Sequence, residues 1–482
     1  MIARGARAGG DERAEARVAR AEVERCVGEQ RERTGARVYR LLAGDVAEVR
    51  VRVEVEVRAI GDCELDARVI GEPCADGELE GEGGTQVTAR GERAIVGAGA
   101  AAEERGRIRA RAIAINERCI AAAVEADRTA DVERRGGEVG GDEERDEGEF
   151  HAAAMMPVVR LDASMNRYVG DVPGASVLVM RDGATIIAQS FGLADVEAGV
   201  CIRPETNFRL ASITKQFTAY AVMILADRGV LAYDDAITRW LSELPAYARD
   251  ITIRQLLLHT CGLPDYEELL TSDAQVRDAD VVRLIAATRG PDFAPGTRWR
   301  YSNTAYVLLG EIVARASDMS FSDFLHRELF APLGMHNTTT CDREIAHRAF
   351  GYTFEGGAWV RRDQSPTTAT LGDGGIYSSI IDLAKWDAEL DTPRLVSKPR
   401  VDEAMSPLVA SDDPAVYYGF GWRISEHRGV RIVWHSGETV SFRNVIVRFP
   451  SERMTIAILT NRDDPEPYAS ALALADALLA RQ

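Results

Sequence analysis

Ala175-Ser176-Val177-Leu178-Val179-Met180 is a largely apolar run, Arg181-Asp182-Gly183 breaks it with turn chemistry, and Thr185 to Gln189 leads back. Two short runs around such a turn predict a β-hairpin. Four further strand-like runs lie near the other chain end: Gly419 to Ile424, Val430 to Trp434, Phe442 to Phe449 and Met454 to Thr460. The apolar stretch Tyr468 to Arg481 predicts a closing helix, and Val158 to Tyr168 suits a first one. Between them, apolar residues recur with helical period over 212–229, 252–259, 303–317 and 320–330. Strands at both ends of a helical middle predict an α+β fold. Its antiparallel sheet is built from both chain ends and flanked by helices, and it carries a helical subdomain.

The composition changes near residue 150. Residues 1–150 contain no Lys and no Trp; their aromatics are Tyr39 and Phe150, and their one proline is Pro73. Nearly everything else is Ala, Arg, Glu, Gly, Val or Asp, and a core without aromatics is hard to pack. Arg50 to Ile60 alternates apolar and charged residues (Val51, Val53, Val55, Val57), as a strand would, and Ala100 to Ala126 suits a helix, but neither is followed by matching partners. The acidic run Gly141 to Glu149 reads as a solvated linker. Residues 1–154 are therefore expected to be a low-complexity extension, with 155–482 as the globular enzyme domain. The extension is read either as a poorly ordered segment or as translation from a start placed too early. The second reading is favoured, with Met155-Met156 as the natural start.

The 482 residues are 46% apolar, enough for a sizeable core, and carry a formal net charge of -18. That balance, with no block of Lys and Arg, argues against a nucleic-acid partner. No apolar run reaches the roughly 18 residues of a membrane span, and no apolar signal core follows Arg4 and Arg7. Seven cysteines without CxxC spacing predict reduced thiols in a cytoplasmic protein and no metal site.

The chemistry lies in the second piece. In Ala211-Ser212-Ile213-Thr214-Lys215-Gln216-Phe217, Ser212 and Lys215 fall three apart, one turn along the same helical face. A serine hydroxyl is a weak nucleophile until a base takes its proton, and a lysine serves when burial or nearby charge makes it less basic. If Ser212 opens the helix, its backbone N–H is a free donor for a developing oxyanion. Ala219 and Met223 extend that stripe, while Phe217, Tyr220 and Ile224 point into a core. Alone, a Ser and a Lys three apart are weak evidence, because surface helices carry such pairs by chance. Pro295 to Tyr306 adds Tyr301 just before a helix and Asn303, an amide with both donor and acceptor. The plain alternative there is a Ser or Asn helix cap beneath a packed aromatic. Trp434-His435-Ser436-Gly437-Glu438 ends a strand-like run, where a glycine permits close backbone approach; an edge glycine beside a surface histidine is its plain alternative.

These three pieces, in this order, resemble the serine β-lactamase and penicillin-binding family, in the branch with Tyr-x-Asn in the middle: class C β-lactamases, DD-carboxypeptidases, D-aminopeptidases and related esterases. Linking stretches agree, among them Leu257 to Tyr266, Pro332-Leu333-Gly334-Met335, Gly374 to Ser379 and Asp382-Leu383-Ala384-Lys385-Trp386. The resemblance covers about residues 158–480. It implies that Ser212 is acylated, that Lys215 and Tyr301 share the proton transfers, and that Asn303 binds the substrate amide. It further implies that His435, Ser436 and Gly437 line the site, and that the N–H groups of Ser212 and Glu438 form an oxyanion hole. It gives His259 a structural place beside the site rather than the role of base; Cys261, near the site wall, reads as a small buried hydrophobe. One departure matters: His435 stands where lactamases carry lysine, so a permanent charge for a penicillin carboxylate is missing. Arg443 is weighed as its substitute, with a structural role favoured.

The expectation is a metal-free, cofactor-free serine hydrolase acting through an acyl-enzyme on a small ester, amide or D-amino-acid peptide, with esterase or peptidase ahead of lactamase. The alternatives are a β-lactamase or DD-carboxypeptidase proper, a ligand-sensing relative that acylates without turnover, and an acyltransferase. Nothing in the residues fixes an oligomeric state.

Overall fold

The computed structural model describes residues 163–480 and three strands near the N-terminus, 38–42, 51–60 and 64–73. The chain divides into two compact units, Met1–Gly91 and Glu92–Gln482. In the first, β1 (Val38–Leu42), β2 (Val51–Ile60) and β3 (Glu64–Pro73) form an antiparallel sheet with β2 in the centre. The valine alternation expected of a strand is β2, and it pairs on both sides, with Val55 opposite Tyr39 and Val69. The sequence reading found no such partners, because strand pairing is chosen by non-local fit and leaves no mark on the partner's own pattern. The helix expected over Ala100 to Ala126, the acidic run Gly141 to Glu149, Met155-Met156 and residues 158–162 of the expected first helix lie outside the described residues. A short 3₁₀ segment, Ala163–Tyr168, occupies the remainder of that last stretch.

The second unit is built on an eight-stranded antiparallel sheet. Its strands are β4 (Ala175–Arg181), β5 (Ala184–Phe191), β6 (Val409–Ala410), β7 (Tyr417–Tyr418), β8 (Arg423–His427), β9 (Val430–Thr439), β10 (Phe442–Phe449) and β11 (Met454–Thr460), in the order β6-β7-β8-β9-β10-β11-β4-β5. The chain ends meet where β11 pairs with β4, Thr460 opposite Ala175 and Met454 opposite Arg181. The hairpin is closed by Asp182 and Gly183, both at positive φ (52° and 79°), as a two-residue turn that follows the strands' twist requires. Of the single run expected over Gly419 to Ile424, Arg423 and Ile424 open β8, whereas residues 419–422 form a turn between β7 and β8. There Gly421 has φ 77°, and a Cβ on it would lie 2.7 Å from the Lys215 carbonyl oxygen. That contact seats the turn on the central helix.

Period-2 alternation puts the central strands' side chains on two faces, both buried. Val177, Val179, Val445, Val447, Ile456 and Ile458 pack with the C-terminal helix Tyr468–Leu479. Leu178, Met180, Ile446 and Leu459 face the helical layer. The centre of that layer is α1 (Thr214–Asp227), where residues 214 to 226 are all buried. The expected division into a site-facing stripe and a core-facing stripe is therefore not seen: the helix is enclosed on every side. Trp386, in the helix Ile380–Asp391, braces it, and Asp382 anchors the first turn of that same bracing helix. Asp382 accepts from the backbone N–H groups of Asn337 and Thr338, each at 2.8 Å. Trp386 stacks on Phe217 with centroids 4.5 Å apart and donates from Nε1 to Gln216 Oε1 at 3.1 Å. Trp386→Ala is expected to destabilise the unit by about 3–5 kcal/mol, read as a lower denaturant midpoint with unchanged slope.

Among the described residues no helix is long and apolar enough to cross a membrane, and no group of three or more His, Cys, Asp or Glu side chains is arranged to hold a metal ion. Cys261 and Cys341 are free, as reduced thiols would be, whereas Cys201 is disulfide-bonded, contrary to the expectation for it.

Candidate active site

Four of the sequence-predicted residues, Ser212, Lys215, Tyr301 and Asn303, meet at the N-terminus of α1. Ser212 sits on a 3₁₀ turn, Ala211–Ile213, that leads into the helix. In 3₁₀ geometry residues three apart eclipse, which brings the following turn of side chains over the serine. Lys215 Nζ lies 3.2 Å from Ser212 Oγ. It also donates to Asn303 Oδ1 at 2.7 Å and to the Asp373 carbonyl at 2.9 Å, and it stands 4.8 Å from the centroid of the Tyr301 ring. Lys215 is fully buried while Ser212 is half-exposed, so the serine hydroxyl lies nearer the surface than the amine. Ala211, directly before the serine, has φ 50°, a left-handed conformation that costs a side-chain-bearing residue about 1–2 kcal/mol. Strain of this kind concentrates at functional turns.

Tyr301 is half-buried and its hydroxyl has no hydrogen-bond partner among the described residues. Ser302 caps the following helix, α2 (Asn303–Ser317), accepting from Ala305 N at 3.1 Å, so the expected cap and the expected tyrosine coexist. His259 fixes both sides of Tyr301. Its carbonyl accepts from Arg300 N at 3.0 Å and its Nδ1 accepts from Ser302 N at 3.1 Å. Burial, then the charge of Lys215, holds His259 well below the ordinary histidine range. It is a neutral bracket among the rings of Tyr301, Tyr306 and Tyr418. Cys261 is buried beside it, and that burial pushes its thiol up to about 11.

Strand β9 supplies the opposite wall. A Cβ on Gly437 would lie 2.0 Å from the Leu210 carbonyl oxygen, so the strand runs directly against the turn that carries Ser212. His435 is buried. Its Nδ1 donates to the Ser436 carbonyl at 2.6 Å, which leaves Nε2 to accept from Tyr418 Oη at 3.1 Å. Burial and the nearby Arg423 hold it well below the usual histidine range, so it presents no positive charge. Glu438 is exposed and ion-paired with Arg443 at 3.1 Å.

Sequence reasoning missed two charged neighbours. Arg443, weighed as the missing cation, is occupied by Glu438, by Glu466 at 3.0 Å and by the Thr439 and Phe442 carbonyls. Arg423 is not occupied in this way. Its guanidinium lies 5.7 Å from the Tyr301 ring and 5.6 Å from the Trp434 ring, and its Nε is buried without a hydrogen-bond partner among the described residues. Pairing of β8 with β9 sets Arg423 opposite Trp434, one residue from His435. The signal available in the sequence was an arginine in a predicted strand just upstream of the His-Ser-Gly run. On the other flank, Glu267 accepts from Asn303 Nδ2 at 2.8 Å; the carboxylates of Asp265-Tyr266-Glu267, just after Pro264, were its only mark.

Residues 161–481 match the beta-lactamase family profile. The chain belongs to the beta-lactamase family. Among its relatives, penicillin-binding protein 4* of Bacillus subtilis (strain 168) is 32% identical over 62% of this chain and 70% of its own length. A D-aminopeptidase of Gluconobacter oxydans (strain 621H) is 29% identical over 66% of this chain and 62% of its own length. A D-amino acid amidase of Ochrobactrum anthropi SV3, solved in complex with L-phenylalanine, superposes with a TM-score of 0.58 at 25% identity, covering 67% of this chain and 97% of the amidase. This member of the beta-lactamase family thus shares its α+β fold with penicillin-binding proteins and D-amino-acid hydrolases, and at that general level it is a serine hydrolase.

Proposed function

We propose that this protein forms an acyl-enzyme at Ser212 and hydrolyses a short amide or ester, with D-amino-acid peptides as the preferred class. The observation that carries the reading is the 3.2 Å contact of a buried Lys215 Nζ with Ser212 Oγ, beside the Tyr301 ring, whose hydroxyl no described protein group uses. Ser212 attacks the carbonyl carbon, and its proton passes to the Lys215–Tyr301 pair. The same pair protonates the departing amine or alkoxide as the carbonyl reforms. Backbone N–H groups of Ser212 and Glu438 hold the oxyanion, a contribution of about 3–4 kcal/mol per donor in comparable sites. Water, deprotonated by the same pair, then releases the acyl group.

The charges favour a peptide over a simple ester. Arg423, next to Tyr301 and not neutralised by any ion pair among the described residues, suits a carboxylate on the leaving-group side. Glu267, on the far side of Asn303 from Lys215, suits an ammonium on the acyl side. Intact mass spectrometry of the full chain after brief exposure to benzylpenicillin tests the reading. An adduct mapped to Ser212 supports it and favours D-peptide substrates. Labelling by a fluorophosphonate alone keeps the serine chemistry and shifts the substrate to an ester, whereas labelling by neither sinks the proposal. Arg423→Gln is expected to raise KM about tenfold for a dipeptide with a free C-terminal carboxylate, and to leave its C-terminal amide unaffected, as loss of one charge-assisted contact predicts.

A further inference from the structure

Lys215 is held from two directions, by Asn303 Oδ1 on α2 and by the Asp373 carbonyl on the loop 370–376. Tyr266 touches both supports. Its backbone N–H donates to Thr304 Oγ1 at 2.7 Å, in the first turn of α2 next to Asn303. Its hydroxyl donates to Asp373 Oδ2 at 3.0 Å and lies 3.3 Å from Thr370 Oγ1. The Tyr266 side chain is fully buried, and Asp373 is only 5% exposed. The other Asp373 oxygen, Oδ1, is buried with no partner among the described residues, an arrangement that costs about 1–3 kcal/mol. Stability alone would favour an apolar residue there.

The rest of the loop is packed too tightly to compensate for a loosened Asp373. A Cβ on Gly372 would lie 2.2 Å from the Tyr306 carbonyl oxygen, the Gly372 carbonyl accepts from Thr218 Oγ1 at 2.6 Å, and Leu371 N donates to Asp278 Oδ1 at 2.9 Å. Residues 371 and 372 are thus fixed by their neighbours, while the Asp373 side chain has Tyr266 as its hydrogen-bonding anchor.

We propose that Tyr266 and Asp373 are positioning residues for Lys215: the Tyr266–Asp373 hydrogen bond sets the Asp373 carbonyl, and with it the distance from Lys215 Nζ to Ser212 Oγ. Burial, then the charge of Asp373, raises the Tyr266 hydroxyl far above its ordinary range, so it remains a donor at any working pH. The inference rests on the reading of Lys215 as the group that serves Ser212.

The test is the rate at which a fluorophosphonate labels Ser212 in the full chain, together with steady-state kinetics on p-nitrophenyl acetate and with Ser212→Ala as the blank. Tyr266→Phe, which removes one oxygen from a filled site, and Asp373→Ala are each expected to slow labelling about 10- to 100-fold, as a displacement of about 1 Å in a reacting group does. kcat falls and KM stays constant. Asp373→Asn, whose amide oxygen still accepts from Tyr266, retains most of the rate. Tyr266→Phe labelling at the wild-type rate overturns the inference, as does Asp373→Asn proving as slow as Asp373→Ala. A wild-type chain that is not labelled at Ser212 refutes the serine reading itself, and this inference with it.

Discussion

Ser212→Ala and Lys215→Met are each expected to abolish acylation, and the double variant is expected to be no slower than either alone. The two side chains act as one device. The serine is inert without a group to take its proton, and the amine has nothing to act on without the serine. In serine hydrolases with a comparable division of labour, losing one member lowers kcat by about 10⁶-fold, and losing the rest adds little. A base acting independently would contribute about 10²–10⁴-fold, and its loss would multiply with that of the serine. Lys215→Met keeps the aliphatic bulk in a buried position but removes the donor shared by Asn303 Oδ1 and the Asp373 carbonyl. It should therefore also lower the melting temperature by a few degrees, because an orphaned buried acceptor costs about 1–3 kcal/mol. Pre-steady-state acylation rates of the three variants decide the matter. Additive losses would mean that Lys215 does not serve Ser212.

Gly437→Val should be the most damaging change that removes no chemical group. A Cβ at position 437 would come within 2.0 Å of the Leu210 carbonyl oxygen, a separation that no pair of nonbonded atoms tolerates. The next contacts are the Leu210 carbonyl carbon at 3.1 Å and the Ile213 side chain at 3.3 Å, so the strand has no room to tilt towards the turn. β9 must move away from residues 210 to 213, or the turn must unwind. Overpacking of this kind costs about 1–3 kcal/mol of stability. A shift of about 1 Å between the Ser212 turn and β9 should lower kcat about 100-fold further through misplaced oxyanion donors. The two effects separate experimentally. Denaturation gives the first, and fluorophosphonate labelling of the fraction that remains folded gives the second. A folded Gly437→Val variant with normal activity would remove β9 from the reaction.

The legible part of this protein is the part written in local periodicity. The apolar, strand-like runs of β4, β10 and β11, the turn at Asp182-Gly183 and the helical period from residue 214 onward each need only a few neighbouring residues. The three-residue spacing of Ser212 and Lys215, the cap at Ser302 and the close approach at Gly437 are likewise short-range facts, and the structure brings all three pieces together around the turn that carries Ser212. What stayed hidden depended on register and packing between distant segments. Arg423 reaches Tyr301 because β8 pairs with β9 in one register and no other. Glu267 and Asp373 reach Asn303 and Lys215 because two loops, about a hundred residues apart, fold onto the N-termini of α2 and α1, which Lys215 and Asn303 join.

By itself, then, the sequence determined the α+β architecture, the joining of both chain ends in one sheet, and the identity of the groups that the proposed reaction uses. The tertiary structure alone decided how those groups are charged and held: His435 neutral, Arg443 neutralised, Arg423 available, Lys215 suspended between an amide and a carbonyl. The physical reason is the range of the forces. Periodicity and capping act over a few residues of chain and leave a pattern there, whereas desolvation and Coulomb interactions act through space and leave none.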